Sequence, residues 1–305
     1  MNIRQINYKN FRWLNITSPA QEEMDFLREK FPFHPLDLED CLSKSQRPKI
    51  DEYEDYVFLV LHFPHIESGH KRIVTEEVDI FVGKDFLVST HRSEISELDK
   101  FFNKCYQNKK LTAEYFKKGI PHLAYTVVDK LVDSCFPILN NVSEEIDLID
   151  QKIFDISARK VVENLSVLRR NLIIFQTMIK PQIKIFADIE AGRIKILNGQ
   201  LSAYWDNILD HLKRIKDRLE DFQEVTEGLT ATNESLLSFR TNEVMKILTI
   251  FSVILLPLTL ISGIYGMNLE TLPFALHSHS FTIVASIMLL ITGIMLVFFR
   301  LKKWL

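Results

Sequence analysis

Seven residues near the end of the chain recur at alternating steps of three and four: Asn242, Met245, Thr249, Ser252, Leu256, Thr259 and Gly263. In a helix that spacing lays them along one face, and because five of the seven are polar or small the face is not a plain lipid anchor. The opposite side is filled by Ile250, Val253, Ile254, Leu258 and Ile261. The stripe leads to Tyr265-Gly266-Met267-Asn268, where Asn268 offers a neutral amide at the end of an apolar run. The chemistry on offer is solvation, not bond making: hydroxyl and amide groups lining a route for a polar solute. Packing of small residues between helices produces similar stripes; the polar residue at the head of this one favours a route. One such face encloses nothing by itself, so a route requires an oligomer.

Other chemistries find no support. No nucleophile elbow, phosphate loop or zincin motif is present, so an enzyme is not expected. Cys41, Cys105 and Cys135 lack metal-ligand or redox spacing and read as idle thiols in a reducing cytosol. His34, Asp37, Glu39 and Asp40 gather in one short segment without the spacing of a zinc or calcium motif. Pro35 instead fixes a helix start there, and capping or structural roles are expected. The acids Glu144, Glu145, Asp147, Asp150 and Asp155 read as a solvated helix face, at most a weak attraction for cations.

The elements that must position the stripe are two apolar runs. Residues 247–264 carry no charge, and neither do residues 281–299. At about 1.5 Å per residue each matches a hydrocarbon core of about 30 Å. Spans are expected at about 246–266 and 281–300, with an outer loop over 267–280 in a transmembrane hairpin of residues 241–305. Arg240 and Lys246 precede the first span; Arg300, Lys302 and Lys303 close the second; the loop holds no Lys or Arg. The positive-inside rule then places both termini in the cytoplasm, in a multi-pass protein of the inner (plasma) membrane. The first residues lack the pattern of a signal peptide, and Trp304 suits the cytoplasmic interface. With a net charge of -3, nucleic acid is not an expected partner; the lipid bilayer is.

Upstream, residues 1–120 read as a cytoplasmic α/β domain. Strands are expected at 11–16, 56–63, 77–82 and 86–90, the last two as a hairpin across Gly83-Lys84-Asp85. A helix should start at Ser18-Pro19, with Ser18 as cap and Gln21 reaching back, and a second should cover 34–42. From 121 to 240 the pattern is helical. One amphipathic helix is expected over 125–154 and another over 158–179, ending before Pro181. A seam of Leu201, Trp205, Ile208, Leu212, Ile215, Leu219 and Phe222 continues through Thr226, Leu229, Asn233 and Leu236. It predicts one stalk helix running from about 202 into the first span, packed on neighbouring helices, on copies of itself, or on both.

Tyr265-Gly266-Met267-Asn268 between two C-terminal spans resembles the signature of the CorA family of divalent-cation transport proteins. Thr241-Asn242-Glu243-Val244-Met245-Lys246, Leu256-Pro257-Leu258-Thr259, Gln46-Arg47-Pro48-Lys49-Ile50 and the final Lys302-Lys303-Trp304-Leu305 are similar to that family too. The resemblance covers the whole chain. It implies a funnel-shaped homopentamer with an α/β cytoplasmic domain, a long helical stalk and two C-terminal transmembrane helices, passing Mg²⁺, with Co²⁺ also, into the cell. Gly266, Met267 and Asn268 would form the selectivity filter. Mg²⁺ sheds water reluctantly, so neutral amides that hold the hydrated ion suit it. Asn242 and Thr259 would add polar rings, and Met245, Leu248 and Leu256 apolar constrictions, alongside Thr249, Ser252 and Gly263.

The family resemblance further implies gating by cytoplasmic Mg²⁺ held by acids between subunits. Glu76, Glu77 and Asp79, with Asp206 and Asp210 on the stalk, are the candidates. Counted back from Asn268 without gaps, the family's sensing aspartate falls on Asn207. In the outer loop Glu270 is present, but Phe274 replaces an acid after Pro273, and His277 and His279 follow. Fewer carboxylates attract cations less strongly. Two loop histidines without a third ligand are more often incidental; the sharper reading is a softer ion such as Co²⁺, Ni²⁺ or Zn²⁺. A zinc transporter resembling the ZntB branch is therefore the nearest alternative. A membrane-anchored binding module is the alternative of a different class.

Overall fold

The computed structural model describes residues 2–43, 46–67, 71–92, 96–154, 157–197, 201–267, 273 and 279–304. Runs of aromatic and β-branched residues form six strands: β1 (Ile3–Tyr8), β2 (Phe11–Thr17), β3 (Lys49–Glu52), β4 (Tyr56–Ile66), β5 (Ile73–Gly83) and β6 (Phe86–His91). They make one sheet in the order β1-β2-β6-β5-β4-β3. The β2–β6 pair is parallel and the other pairs are antiparallel. Nearly every residue of β4 is buried, as expected where both faces of a sheet are covered. Tyr56, Phe58 and Val60 share a core with Met24 and Leu27 of α1 (Gln21–Lys30) and Leu38 of α2 (Pro35–Leu42). The alternate residues Val57, Leu59 and Leu61 are equally buried on the other side. There Trp13 meets Phe102 of α3 (Ser96–Gln107) edge-on, with ring centroids 4.9 Å apart.

Local chemistry departs from expectation at α1. Its N-cap is Ala20, and Glu23 does the capping, accepting from the amides of Ala20 at 3.0 Å and Asn2 at 2.8 Å. Those amide bonds lower the Glu23 pKa against the opposing effect of burial. Ser18 stands in the left-handed region at φ 53° and donates its hydroxyl to the Arg92 carbonyl instead. The group around His34 is structural: His34 Nδ1 accepts from Leu36 N, and buried Asp37 accepts from the hydroxyls of Tyr53 and Tyr56 at 3.0 and 2.7 Å. The three cysteines are free and buried.

After α4 (Lys109–Phe116), the helix expected over 125–154 proves to be two, α5 (Ile120–Asp133) and α6 (Cys135–Lys152). Pro137 has no amide hydrogen to give to the Asp133 carbonyl, and Ser134 Oγ bonds the Leu131 carbonyl at the break. The next helix errs the other way. α7 (Ala158–Glu190) passes straight through Pro181. Gln182 secures it there, donating from Nε2 to the carbonyls of Met178 and of His62 on β4, each at 2.8 Å.

The stalk and first apolar run are a single helix, α8 (Ser202–Tyr265). Trp205, Ile208, Leu212, Ile215 and Leu219 of the seam are buried, so much of it is used within the chain. The chain divides into two compact units, Met1–Thr230 and Ala231–Leu305. The second holds the end of α8 and α9 (Ser280–Leu301), both long and apolar enough to cross a membrane. Most of their side chains are exposed, unlike those of a core helix in a soluble protein. Each helix shields one stripe: Ile250, Ile254, Pro257, Leu258, Ile261 and Tyr265 on α8, and Val284, Met288, Ile291, Met295 and Phe299 on α9. They are the two helices described in this unit, so these are the faces they turn to each other.

Candidate functional site

At 3.6 residues per turn, Ser252, Leu256, Thr259 and Gly263 fall on the side of α8 away from its α9-facing stripe. All four are exposed and, with the apolar Leu255, Leu260, Ile264 and Met267, line a groove of about 770 Å³. Asn242, Met245 and Leu248 are exposed on the same helix before the groove, and Thr249 is half-buried. Hydroxyl orientation gives the face its chemical sense. Thr249 donates to the Met245 carbonyl at 2.7 Å and Thr259 to the Leu255 carbonyl at 2.9 Å. With the protons spent on the helix, the lone pairs remain to accept from, or coordinate, a solute.

Gly266 closes the helix where space is short. Its amide bonds the Ser262 carbonyl at 2.8 Å, and a Cβ on it would stand 3.1 Å from that same oxygen. The Tyr265 hydroxyl donates to the Pro273 carbonyl at 2.9 Å. Asn268 and Glu270 lie outside the described residues, as do Phe274 and His277; His279 is the N-cap of α9.

The acids singled out for cation sensing are not brought together. Asp79 is 3% exposed inside the sheet, accepting from Thr90 Oγ1 at 2.9 Å. Burial, with the neighbouring charge of Glu77, pushes its pKa up to about 7, which suits a core residue and not a ligand open to water. Glu77 accepts from the Gln46 amide at 2.7 Å and stands 3.4 Å from His62. Glu76 alternates to the other face and lines a cleft shared with Asp133. Asp206 and Asp210 are exposed on α8, and Asp210 lies 3.9 Å from Lys213.

A different set does converge. Asp129 and Asp133, one turn apart on α5, meet His211 of α8, with one ligand atom from each inside a 4.8 Å span. Asn207, one turn before His211, donates its amide to Asp129 Oδ1 at 3.3 Å, as does the Tyr125 hydroxyl. His211 Nδ1 lies 3.5 Å from Asp133 Oδ1. That nitrogen is shielded from water yet has no hydrogen-bond partner, an orphaned atom of the kind a metal ion satisfies. Burial, then the charge of Asp133, raises the Asp129 pKa, and the Tyr125 phenol is pushed up to about 12 by burial and by Asp129. Sequence reasoning missed these three. The i, i+4 spacing of the two aspartates, and of Asn207 with His211, was the available signal.

An α/β unit followed by two exposed helices long and apolar enough to cross a membrane fits the class of two-span membrane proteins. Residues 8–303 match the family described as CorA-like Mg²⁺ transporter protein, and the chain belongs to that family. The cobalt/magnesium transport protein CorA of Thermotoga maritima is 31% identical over 294 residues, 96% of this chain and 83% of that protein. The solved CorA magnesium transporter of Methanocaldococcus jannaschii has the same fold: TM-score 0.87, 23% identity, 98% of this chain and 94% of that one. A zinc transport protein ZntB of Yersinia pseudotuberculosis is more distant, 22% identical over 96% of this chain and 88% of that protein.

Proposed function

We propose that this protein is a channel that admits Mg²⁺, and Co²⁺ with it, down the electrochemical gradient into the cell. The observation that carries the reading is the acceptor-bearing face of α8, turned away from α9 and ending at Gly266-Met267. Neutral oxygens hold a hydrated Mg²⁺ through its water, so the ion need not be stripped. Met245, Leu248 and Leu256 supply apolar positions at which the path closes by dewetting. A ring of copies, a pentamer as in the family resemblance, encloses the path with α9 toward lipid, both termini in the cytoplasm and residues 267–280 outside. No catalytic step is involved.

Gating belongs in this reading to Asp129, Asp133 and His211. Two carboxylates and an imidazole fit a divalent cation, and Asn207 already lends Asp129 part of the neutralisation such an ion gives. A zinc-transporting role is the second reading, motivated by His277 and His279; the higher identity to the cobalt/magnesium protein favours the first.

Uptake into liposomes by the purified chain tests both. Mg²⁺ flux is expected, with a strong loss in Asn268→Ala. Zn²⁺ flux without Mg²⁺ flux would establish the second reading, and no flux of any divalent ion would overturn both.

A further inference from the structure

Within the first unit, a cleft of about 400 Å³ opens between the start of β5, α6 and α7. Its charge is one-sided: Lys71, Arg72, Lys152 and Lys160 line it, against Glu145 alone among acids. Glu145 is taken, its Oε1 lying 3.1 Å from Lys71 Nζ. Among the described residues Arg72, Lys152 and Lys160 make no ion pair. The sequence marks α6 as acidic, but helical phase turns Asp147 and Asp150 away and leaves Glu145 and Lys152 on the cleft side. On α7 the nearest acid, Glu163, is held by Arg159 at 3.1 Å.

Two of the walls are tied together. Asn171 of α7 is 2% exposed; it donates to the Lys71 carbonyl at 2.7 Å and accepts from the Ile73 amide at 3.0 Å. The backbone carrying Lys71 and Arg72 is thereby tied to the helix carrying Lys160. Lysine and arginine only donate, so the cleft calls for a ligand rich in acceptors and bearing several negative charges. A single carboxylate does not neutralise this surplus, whereas a chain of phosphates does. Asn164 and Val167 leave room beside the cations for a less charged part, and the volume falls within the usual range of small-molecule sites.

We propose that this cleft binds a soluble phosphate-bearing anion of the polyphosphate or nucleotide-tail class. It shares no lining residue with the groove of α8 or with the Asp129 cluster, and it stands whether or not the transport reading holds.

Isothermal titration of the full-length protein in detergent, in Mg²⁺-free buffer with chelator, tests it with two probes, inorganic triphosphate and adenosine triphosphate. Both are expected to bind saturably, and sulfate at matched ionic strength is not. Lys152→Glu with Lys160→Glu should weaken binding by at least about tenfold, two charge-assisted contacts being lost. Lys109→Glu with Lys110→Glu, an equal charge change at exposed positions outside the cleft, should leave it within about twofold. Absence of saturable binding overturns the proposal, as does an equal loss in both double variants. Binding of the nucleotide without triphosphate overturns it too, because phosphate charge is the recognised feature.

Discussion

The side-chain amide of Asn207 on α8 donates to the carboxylate of Asp129 on α5 across 3.3 Å. A neutral donor thus stands where a carboxylate would leave two negative charges facing each other. Asn207→Asp should remove one net hydrogen bond, about 1 kcal/mol, and melt roughly 2–4 °C lower in the absence of divalent cations. Added Mg²⁺ should then stabilise the variant more than the wild type, since binding to the folded state alone raises its stability. Melting curves with and without Mg²⁺ check this; an equal Mg²⁺ response in the two proteins would remove Asn207 from the sensing role.

Asp79 titrates inside the sheet, and the sign follows from its raised pKa of about 7. The unfolded chain releases this proton near the ordinary carboxylate value of about 3.9, while the folded chain keeps it. The contribution is therefore fully present below that value and is lost as pH rises toward about 7. Asp79→Asn keeps an acceptor for Thr90 and removes the titration. Denaturant melts from pH 4 to 8 should show wild type losing stability relative to the variant until about pH 7, then running parallel to it. Parallel profiles throughout would contradict the assignment.

Thr259 exposes acceptor lone pairs to the groove because its proton is bonded to the Leu255 carbonyl. Thr259→Val keeps the shape and removes the oxygen. At about 1 kcal/mol for a lost contact, Mg²⁺ flux should fall roughly fivefold. Flux at the wild-type rate would take Thr259 out of the path.

Asn171 supplies partners to two backbone groups of β5 and the residues leading into it. Asn171→Ala leaves the Ile73 amide and the Lys71 carbonyl without them, and should cost about 1–3 kcal/mol in chemical denaturation. A change within error would mean that water replaces both bonds.

The apolar helices and the stripe were legible because charge is absent from two long runs and because helical phase is regular. So were β2, β4, β5 and β6, whose residues suit a buried strand. β1 and β3 were not: Ile3–Tyr8 and Lys49–Glu52 are short and polar, and their neighbours make them strands. Pro137 and Pro181 show that proline alone does not set a helix end. The first ends a register where its missing amide matters; the second is carried because Gln182 ties α7 to β4. The acids of β5 looked alike in sequence, yet alternation and burial gave Glu76, Glu77 and Asp79 three different environments. Asp129 and His211 were hidden by distance along the chain, which only the pairing of α5 with α8 removes.

Gly263 has nothing within 4 Å of where a side chain would begin, so at that level backbone forms the floor of the groove. Symmetry turns this into an amplifier. In a ring of identical subunits a single added methyl group recurs once per copy at the same height, narrowing the passage from every side at once. In the proposed ring, the residue at this one position would therefore set the calibre from every subunit together.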